Sequence, residues 1–486
     1  MLGRLEEKTM IAKFSVFILA LYVALSFIFS DFSVSAVLGV LWLCIWCGLV
    51  IIQGFLKISK EQYQLTKSDV ISAVFPCVVG INVIRSGIFS RTVMYYGIIL
   101  AVSMLLYILS QEVPNKLIFF TKVVLVSVAT VFAIINILYV FFPETIKSTI
   151  FSIFSSTSVE YNERILGEGY GIAFGEDVGY TAVMIVVGIG ILFISTPKCI
   201  VKMRGLLIVL QFFLAFALNV LQRRGEILIG AVALAVTAVI MLISTKKAKM
   251  FSAHDKRSFY ATILIEFLCI IVAFFSFVAI NPNNRIVEMN KTVTEIANQV
   301  TDESTDIELE NKNSIIDEET SQNESFATEE AQPEENSETS VNEKIESLGN
   351  GRIILWKMAW NAFLEKPIFG HGWGFFSRIA PESGNTHATN AHCVYLQLLC
   401  ETGIVGFLLI GSVFLYFLVS AIVRAFSVGN MTQFINTLVA LFLILFMLGE
   451  GVVDNSLYYP YWMILISIAL IPVSYTHLRA HETEAD

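Results

Sequence analysis

The chain has 486 residues, 56% of them hydrophobic and 15% charged, against about 45–50% and about 25% for soluble domains. The apolar excess is gathered into runs long enough to cross a bilayer, for which a helix needs about 20 residues, and this excludes a soluble multidomain enzyme. The net charge of −9 hides two regimes: residues 301–350 carry 16 acidic and 2 basic side chains, and the remainder is mildly basic, without the basic, aromatic-interleaved face that nucleic-acid binding requires.

Apolar runs predict about twelve transmembrane helices, near residues 12–29, 34–55, 69–88, 92–110, 117–142, 178–195, 205–221, 226–244, 259–280, 404–423, 432–449 and 457–473. The first follows Arg4, Glu6, Glu7 and Lys8, has no small-residue cleavage site and is succeeded at once by another run, so it reads as a span and not as a cleaved signal. Cys44 and Cys47 form C-x-x-C inside the second run, where cysteine serves as a small hydrophobe. The third run is the weakest, because it holds Pro76, Asn82 and Arg85.

Basic residues in short loops set the orientation. Lys57, Lys60 and Lys67, then Lys198, Lys202 and Arg204, then Lys246, Lys247, Lys249, Lys256 and Arg257, and finally Arg424 all fall on one side of a twelve-span chain. That side reads as the cytoplasm, with both termini there. Arg85, Arg91, Arg223 and Arg224 fall on the opposite side, against the insertion bias, and need another reason for their position.

The predicted organisation is a bundle of spans 1–9 over residues 1–281, an acidic insert over 282–350, a folded external loop over 351–403, spans 10–12 over 404–473, and a polar tail over 474–486. The insert is rich in Glu, Ser, Thr and Asn and poor in aromatics, so it cannot bury enough apolar surface to offset its ordering entropy and is expected to be disordered. The tail, SYTHLRAHETEAD, is unlike the rest and reads as an artefact of the reading frame. Residues 351–403 change character: Trp356, Trp360, Phe363, Phe369, Trp373, Phe375 and Phe376 lie within one short stretch. Asn350-Gly351 predicts a turn followed by an amphipathic helix stopped by Pro367, then the glycine-rich GHGWG, then a second helix from near Thr389 to Gly403. Cys393 and Cys400 are expected on one packed face of that helix, without a disulfide.

Three clusters share the external side: Gln222-Arg223-Arg224-Gly225, Arg352, and Asn390-Ala391-His392. Arginine presents a planar fork suited to phosphate oxygens, and a histidine can orient or deprotonate a hydroxyl. Together these are parts for moving a glycan from a lipid pyrophosphate to an alcohol. Each has a plainer reading. Arginines at span ends snorkel to head groups, an isolated histidine is often structural, the aromatic cluster is packing before it is a ligand cage, and His371 within GHGWG is a turn residue before it is a base.

The segments RIILWKMAWNAFLEKPIFGHGWGFF and NAHCVYLQLLCETGIVG resemble the signature of the O-antigen ligase and polysaccharide polymerase family. Arg352, Trp356, Pro367, Gly370, Gly372, His392, Gly403 and Gly406 stand in the positions of its Arg, Trp, P-x-x-G-x-G turn, His and G-x-x-G, and Arg224-Gly225 matches an external Arg before a small residue. Cys393 departs from the usual Asn, Ser or Gln, and the acidic insert is not a family feature.

The resemblance implies an all-α polytopic fold with a large external loop between spans 9 and 10, similar to the metal-independent membrane glycosyltransferases, with no metal and no cofactor. It implies an enzyme of the cytoplasmic membrane that takes a glycan from undecaprenyl pyrophosphate to a sugar hydroxyl. His392 would be the catalytic residue, and Arg223, Arg224 and Arg352 would bind pyrophosphate. The partners would be the lipid-linked donor, a glycan acceptor, membrane lipids, and the flippase and chain-length regulator of the pathway. Polymerisation of repeat units is favoured over ligation to a lipid A–core glycan. A transporter is the rival class, but such carriers show repeat-related halves, and the long loop divides this chain nine to three. A glycosyltransferase using Asp31 is a further option, though a lone Asp in a short turn is most often a turn former.

Overall fold

The computed structural model describes residues 67–86, 115–142, 145, 146, 148, 178–199, 201–221, 223–247, 252–280, 352–383 and 388–455. The expected spans near 12–29, 34–55, 92–110 and 457–473, the acidic insert, the polar tail, the Cys44–Cys47 pair, Asp31, Arg91 and Gln222 lie outside these residues. The chain divides into two compact units, Met1–Phe277 with Leu355–Asp486, and Val278–Ile354. Of the second, only the end of one helix and the start of the next are among the described residues. The helical bundle belongs to the first unit.

Regular structure among the described residues is helical. In chain order the helices are α1 (Lys67–Ser86), α2 (Asn115–Phe141), α3 (Val178–Ser195), α4 (Val201–Val220), α5 (Arg224–Lys247), α6 (Ala253–Ile280), α7 (Arg352–Glu365), α8 (Phe376–Ile379), α9 (Val394–Ser427) and α10 (Met431–Val453). Seven of them, α2 to α6, α9 and α10, are long and apolar enough to cross a membrane, and the chain is a multi-pass membrane protein. Their ranges overlay the runs expected from 117 to 449. α1 overlays the weakest run and is unbroken by Pro76.

A helix that is apolar all round belongs either at the centre of a bundle or in contact with lipid. α3 and α10 are central, buried over 89% and 72% of their apolar windows, whereas α6 is buried over 28%. The exposed Leu, Ile, Val and Phe of α4, α5, α6 and α9 therefore form the lipid face. Without a hydrophobic drive between helices in a bilayer, close approach depends on small residues. α3 supplies them: a Cβ on Gly188 would lie 2.6 Å from the Ala129 Cβ of α2, and one on Gly190 would lie 2.0 Å from the Phe442 ring of α10.

α9 is the one helix expected to be two. The sequence predicts a loop helix from near Thr389 ending at Gly403, then a separate span. Instead helix begins at Val394, because His392 has φ +48° and Cys393 is extended, and it continues to Ser427 through a break at Gly403, where φ is +63° and ψ −174°. In an unbroken helix the amides of Ile404 and Val405 would donate to the carbonyls of Cys400 and Glu401. The segment after Pro367 splices into those two bonds. His371 N–H donates to Cys400 O at 3.0 Å and Gly372 N–H to Glu401 O at 2.8 Å, while Ile404 N–H donates to Pro367 O at 2.8 Å and Val405 N–H to Ile368 O at 3.2 Å. Four backbone groups exposed by the break are thereby satisfied, as buried peptide groups must be.

This splice needs glycine on both sides. Gly370 has φ +65°, and a Cβ there would stand 2.4 Å from the Glu401 carbonyl; a Cβ on Gly403 would stand 2.4 Å from Ile368 O. The polar residues that weaken α1 as a span dock it to the same loop. Arg85 donates to Phe369 O at 2.7 Å, to Gly370 O at 3.3 Å and to Asn82 Oδ1 at 3.0 Å, and lies over the Phe369 ring. Trp373 N–H donates to Asn82 O.

Candidate active site

A small apolar cluster of Leu355, Ala359, Ala362, Phe376, Ala380, Ala388, Ala391 and Cys400 holds α7, α8 and the 388–393 segment on the first turns of α9. Cys393 and Cys400 are both buried free thiols, but only Cys400 lies within α9: Cys393 is extended backbone just before it, so the expected shared helix face is not formed. The short helices and alanines bring backbones close and leave His392 at the edge of the cluster, its side chain 36% accessible.

His392 is the only non-glycine among the described residues with positive φ. Left-handed backbone costs an L-residue roughly 1–2 kcal/mol, so its surroundings must hold it there. Its Nδ1 lies 3.3 Å from Oδ1 of Asp454, the residue that follows the last turn of α10. Asp454 is buried, which alone would raise its pKa. The His392 hydrogen bond and charge, the Asn455 N–H donating to Oδ1 at 2.8 Å, and the positive charge of Arg223 more than offset burial and hold the carboxyl below its usual range. An ionised carboxylate can only accept, so Nδ1 carries the proton in this bond, and in the neutral imidazole Nε2 is then the nitrogen with the open lone pair.

The arginine turn reaches the same place. Arg223 precedes α5 and is bound to Glu226 through Nε and Nη2, each 2.8 Å from Oε1, and its charge acts on Asp454. Arg224 is half-buried as the first residue of α5, and a Cβ on Gly225 would lie 3.2 Å from Val453 of α10. The structure therefore gathers Arg223, Arg224, Gly225 and His392 around the carboxyl end of α10. Arg352 opens α7 and lies in the second unit.

The other motif residues have structural roles. Gly370, Gly372 and Gly403 make the splice, and a Cβ on Gly372 would press on Ser86 at 2.9 Å. Gly406 faces Val78 of α1. Pro367 gives its carbonyl to Ile404. Trp356 is half-buried on α7. His371 stacks on Phe375 with ring centres 4.0 Å apart and bonds Ala362 O at 2.8 Å, the turn role its position suggests. Among the described residues no three His, Cys, Asp or Glu are grouped to hold a metal ion.

Several site residues escape a reading of the sequence. Asp454 stands 62 residues beyond His392, at the end of an apolar run. The signal that marks it is an acidic residue followed by asparagine at a span end on the histidine's side. Gln397, Glu401 and Asn455 are buried polar residues on or beside apolar helices. Between α9 and α10, a cavity of about 160 Å³ is lined by Val394, Tyr395, Leu398, Phe407, Phe414 and Met447 among others. Its upper residues follow His392 directly, so an apolar groove descends from the site along the spans.

Residues 208–411 match the family model for O-antigen ligase. The matched stretch runs from within α4, through the arginine turn and His392, to two turns past the Gly403 break, and stops short of Asp454. No curated protein matches the chain.

Proposed function

We infer that this chain, whose residues 208–411 match the family model for O-antigen ligase, acts in glycan transfer for polysaccharide biosynthesis, and that its particular reaction is transfer of a glycan from undecaprenyl pyrophosphate to a sugar hydroxyl at the outer face of the cytoplasmic membrane. The observation that carries this reading is the His392–Asp454 pair beside Arg223 at the end of α10.

Asp454 holds the Nδ1 proton of His392, and Nε2 takes the proton of the acceptor hydroxyl. The acceptor oxygen then bonds to the anomeric carbon as the bond from that carbon to the pyrophosphate oxygen breaks, and the lipid pyrophosphate departs with the electron pair. Pyrophosphate is a good leaving group, so positioning two large substrates and stabilising departing negative charge are the protein's main tasks. Arg224, helped by Arg223, and Arg352 are assigned to the pyrophosphate. For Arg352 the support is its place in the motif. For Arg223 it is also its charge acting on Asp454, and for Arg224 its position next to Arg223 at the start of α5. The apolar groove between α9 and α10 suits the hydrocarbon of the donor.

His392→Ala is expected to abolish transfer while the protein still accumulates in the membrane; normal polysaccharide in a strain complemented with this variant would overturn the assignment. For the acceptor, we favour a second lipid-linked repeat unit, hence polymerisation, on the long polar insert and the lack of any lipid A-specific cue. The matched family's own description supports the second reading, ligation to a core glycan. Purified protein given one synthetic lipid-linked repeat decides between them. A ladder of products marks a polymerase, and reaction only when a core glycan is added marks a ligase.

A further inference from the structure

We propose that Gln397 is the positioning residue of the catalytic pair, a single carboxamide that sets the register between His392 and Asp454. The inference rests on the proposed glycosyl transfer by His392.

His392 and Asp454 lie on different elements. His392 is in the segment before α9, and Asp454 follows α10. A hydrogen bond of 3.3 Å between a half-exposed ring and a buried carboxylate does not by itself keep two elements aligned. Gln397, one turn into α9 and buried, reaches both. Its Oε1 accepts from the backbone N–H of Ala391 at 3.0 Å, the residue immediately before His392. The same oxygen accepts from Nδ2 of Asn455, the residue immediately after Asp454. A carbonyl oxygen has two lone pairs and can take both. Asn455 is itself buried, and its backbone N–H donates to Asp454 Oδ1 at 2.8 Å.

The clip is anchored below as well. Gln397 Nε2 donates to Glu401 Oε1 at 3.3 Å, and the same Glu401 oxygen accepts from Phe376 N–H at 3.2 Å. Glu401 is the residue whose main-chain carbonyl the Gly370–Gly372 loop holds at the helix break. A chain of hydrogen bonds thus runs from the splice, through Glu401 and Gln397, to the main chain of Ala391 and the side chain of Asn455, the two residues that flank the catalytic pair. The bond to Ala391 N–H also fixes the Asn390–Ala391 peptide, one residue ahead of the left-handed His392.

A buried glutamine whose acceptor oxygen is replaced leaves two donors unpaired, and both belong to neighbours of the reacting groups. Gln397→Met keeps length and bulk but removes the bonds. With a lipid-linked donor and purified protein it should lower kcat by about 10- to 100-fold and leave KM for donor and acceptor within about twofold. Gln397→Glu should retain most activity: a glutamate there shares a proton with Glu401 and keeps an accepting oxygen.

The deciding measurement is a double-mutant cycle with Asp454→Asn. If Gln397 acts by aligning Asp454 with His392, Gln397→Met costs little more once Asp454 is replaced. Additive losses in the cycle, a loss confined to KM, or a Gln397→Glu variant as impaired as Gln397→Met would each overturn the proposal while leaving His392 as the base. A wild-type protein that transfers nothing from a lipid-linked donor overturns the functional reading, and this assignment with it.

Discussion

An imidazole works as a base at neutral pH when one ring nitrogen is committed as a donor and the other is open. At His392 the commitment comes from Asp454, and the state of that carboxyl sets the pH behaviour of the site. Its pKa is raised by burial but held lower, on balance, by His392, the Asn455 amide and Arg223. A depressed folded-state pKa means that the folded protein binds this proton less readily than the unfolded chain, in which Asp titrates near 4. The stabilisation is therefore present in full above about pH 4 and is lost as pH falls through the folded-state value. Asp454→Asn should lower stability by about 1–3 kcal/mol at neutral pH, and the gap from wild type should close as thermal unfolding is followed below about pH 4. In the transfer assay the same variant should lose about 100-fold or more in kcat, since the asparagine no longer holds the ring as a charged partner does.

The decisive element is α9. Its first turns carry Gln397 and Glu401, its remainder crosses the membrane, and the break at Gly403 joins the two. The splice relies on main-chain groups, so it tolerates many side chains but no Cβ at two points. Gly403→Ala must adopt positive φ and also intrude on Ile368 O, and it is expected to cost about 2–4 kcal/mol, measured as a loss of thermal stability in detergent. Gly370→Ala meets Glu401 in the same way from the other side. Gly411, on α9 beyond the break, has no heavy atom within 4 Å of its would-be Cβ, so Gly411→Ala is the matched control and should be close to neutral.

At the scale of the whole bundle, the helix ends sort into two faces. Ser86, Gly179, Arg223, Gly372, His392 and Asp454 meet at one. At the other, Lys122 donates to Asn436 at 2.8 Å, Lys198 to Thr432 at 2.6 Å and Arg204 to Ser258 at 2.6 Å. The second face carries the basic short loops, and we propose it as the cytoplasmic side on the bias that keeps such loops there. A cysteine placed at the exposed Thr389 in a cysteine-free protein should therefore react with an impermeant maleimide in intact cells, whereas one at the exposed Ser252 should react only after lysis.

Much of this architecture is legible in the sequence, because long apolar runs leave few alternatives and because Arg224, His392 and the glycine turns sit in a recognisable order. The run of α1 is legible only as a weak span, since Asn82 and Arg85 look like defects until their partners in the 369–373 loop are known. Asp454, Gln397 and Asn455 are not legible. Their meaning comes from α9 and α10 lying side by side, a relation between distant positions that no local pattern encodes. The break within α9 is half legible: Gly403 announces a helix stop, but the resumption of the helix depends on main-chain groups supplied from about thirty residues upstream.

The same splice bears on how this protein can change over time. Recognition through peptide groups is indifferent to spelling, so the residues between the glycines are open to drift as long as the chain keeps its path. The left-handed positions are not, and neither is Pro367, whose ring stiffens the approach. A protein remodelled for a different sugar would therefore be expected to vary its loops around His392 freely and to keep this joint, which carries no chemistry of its own.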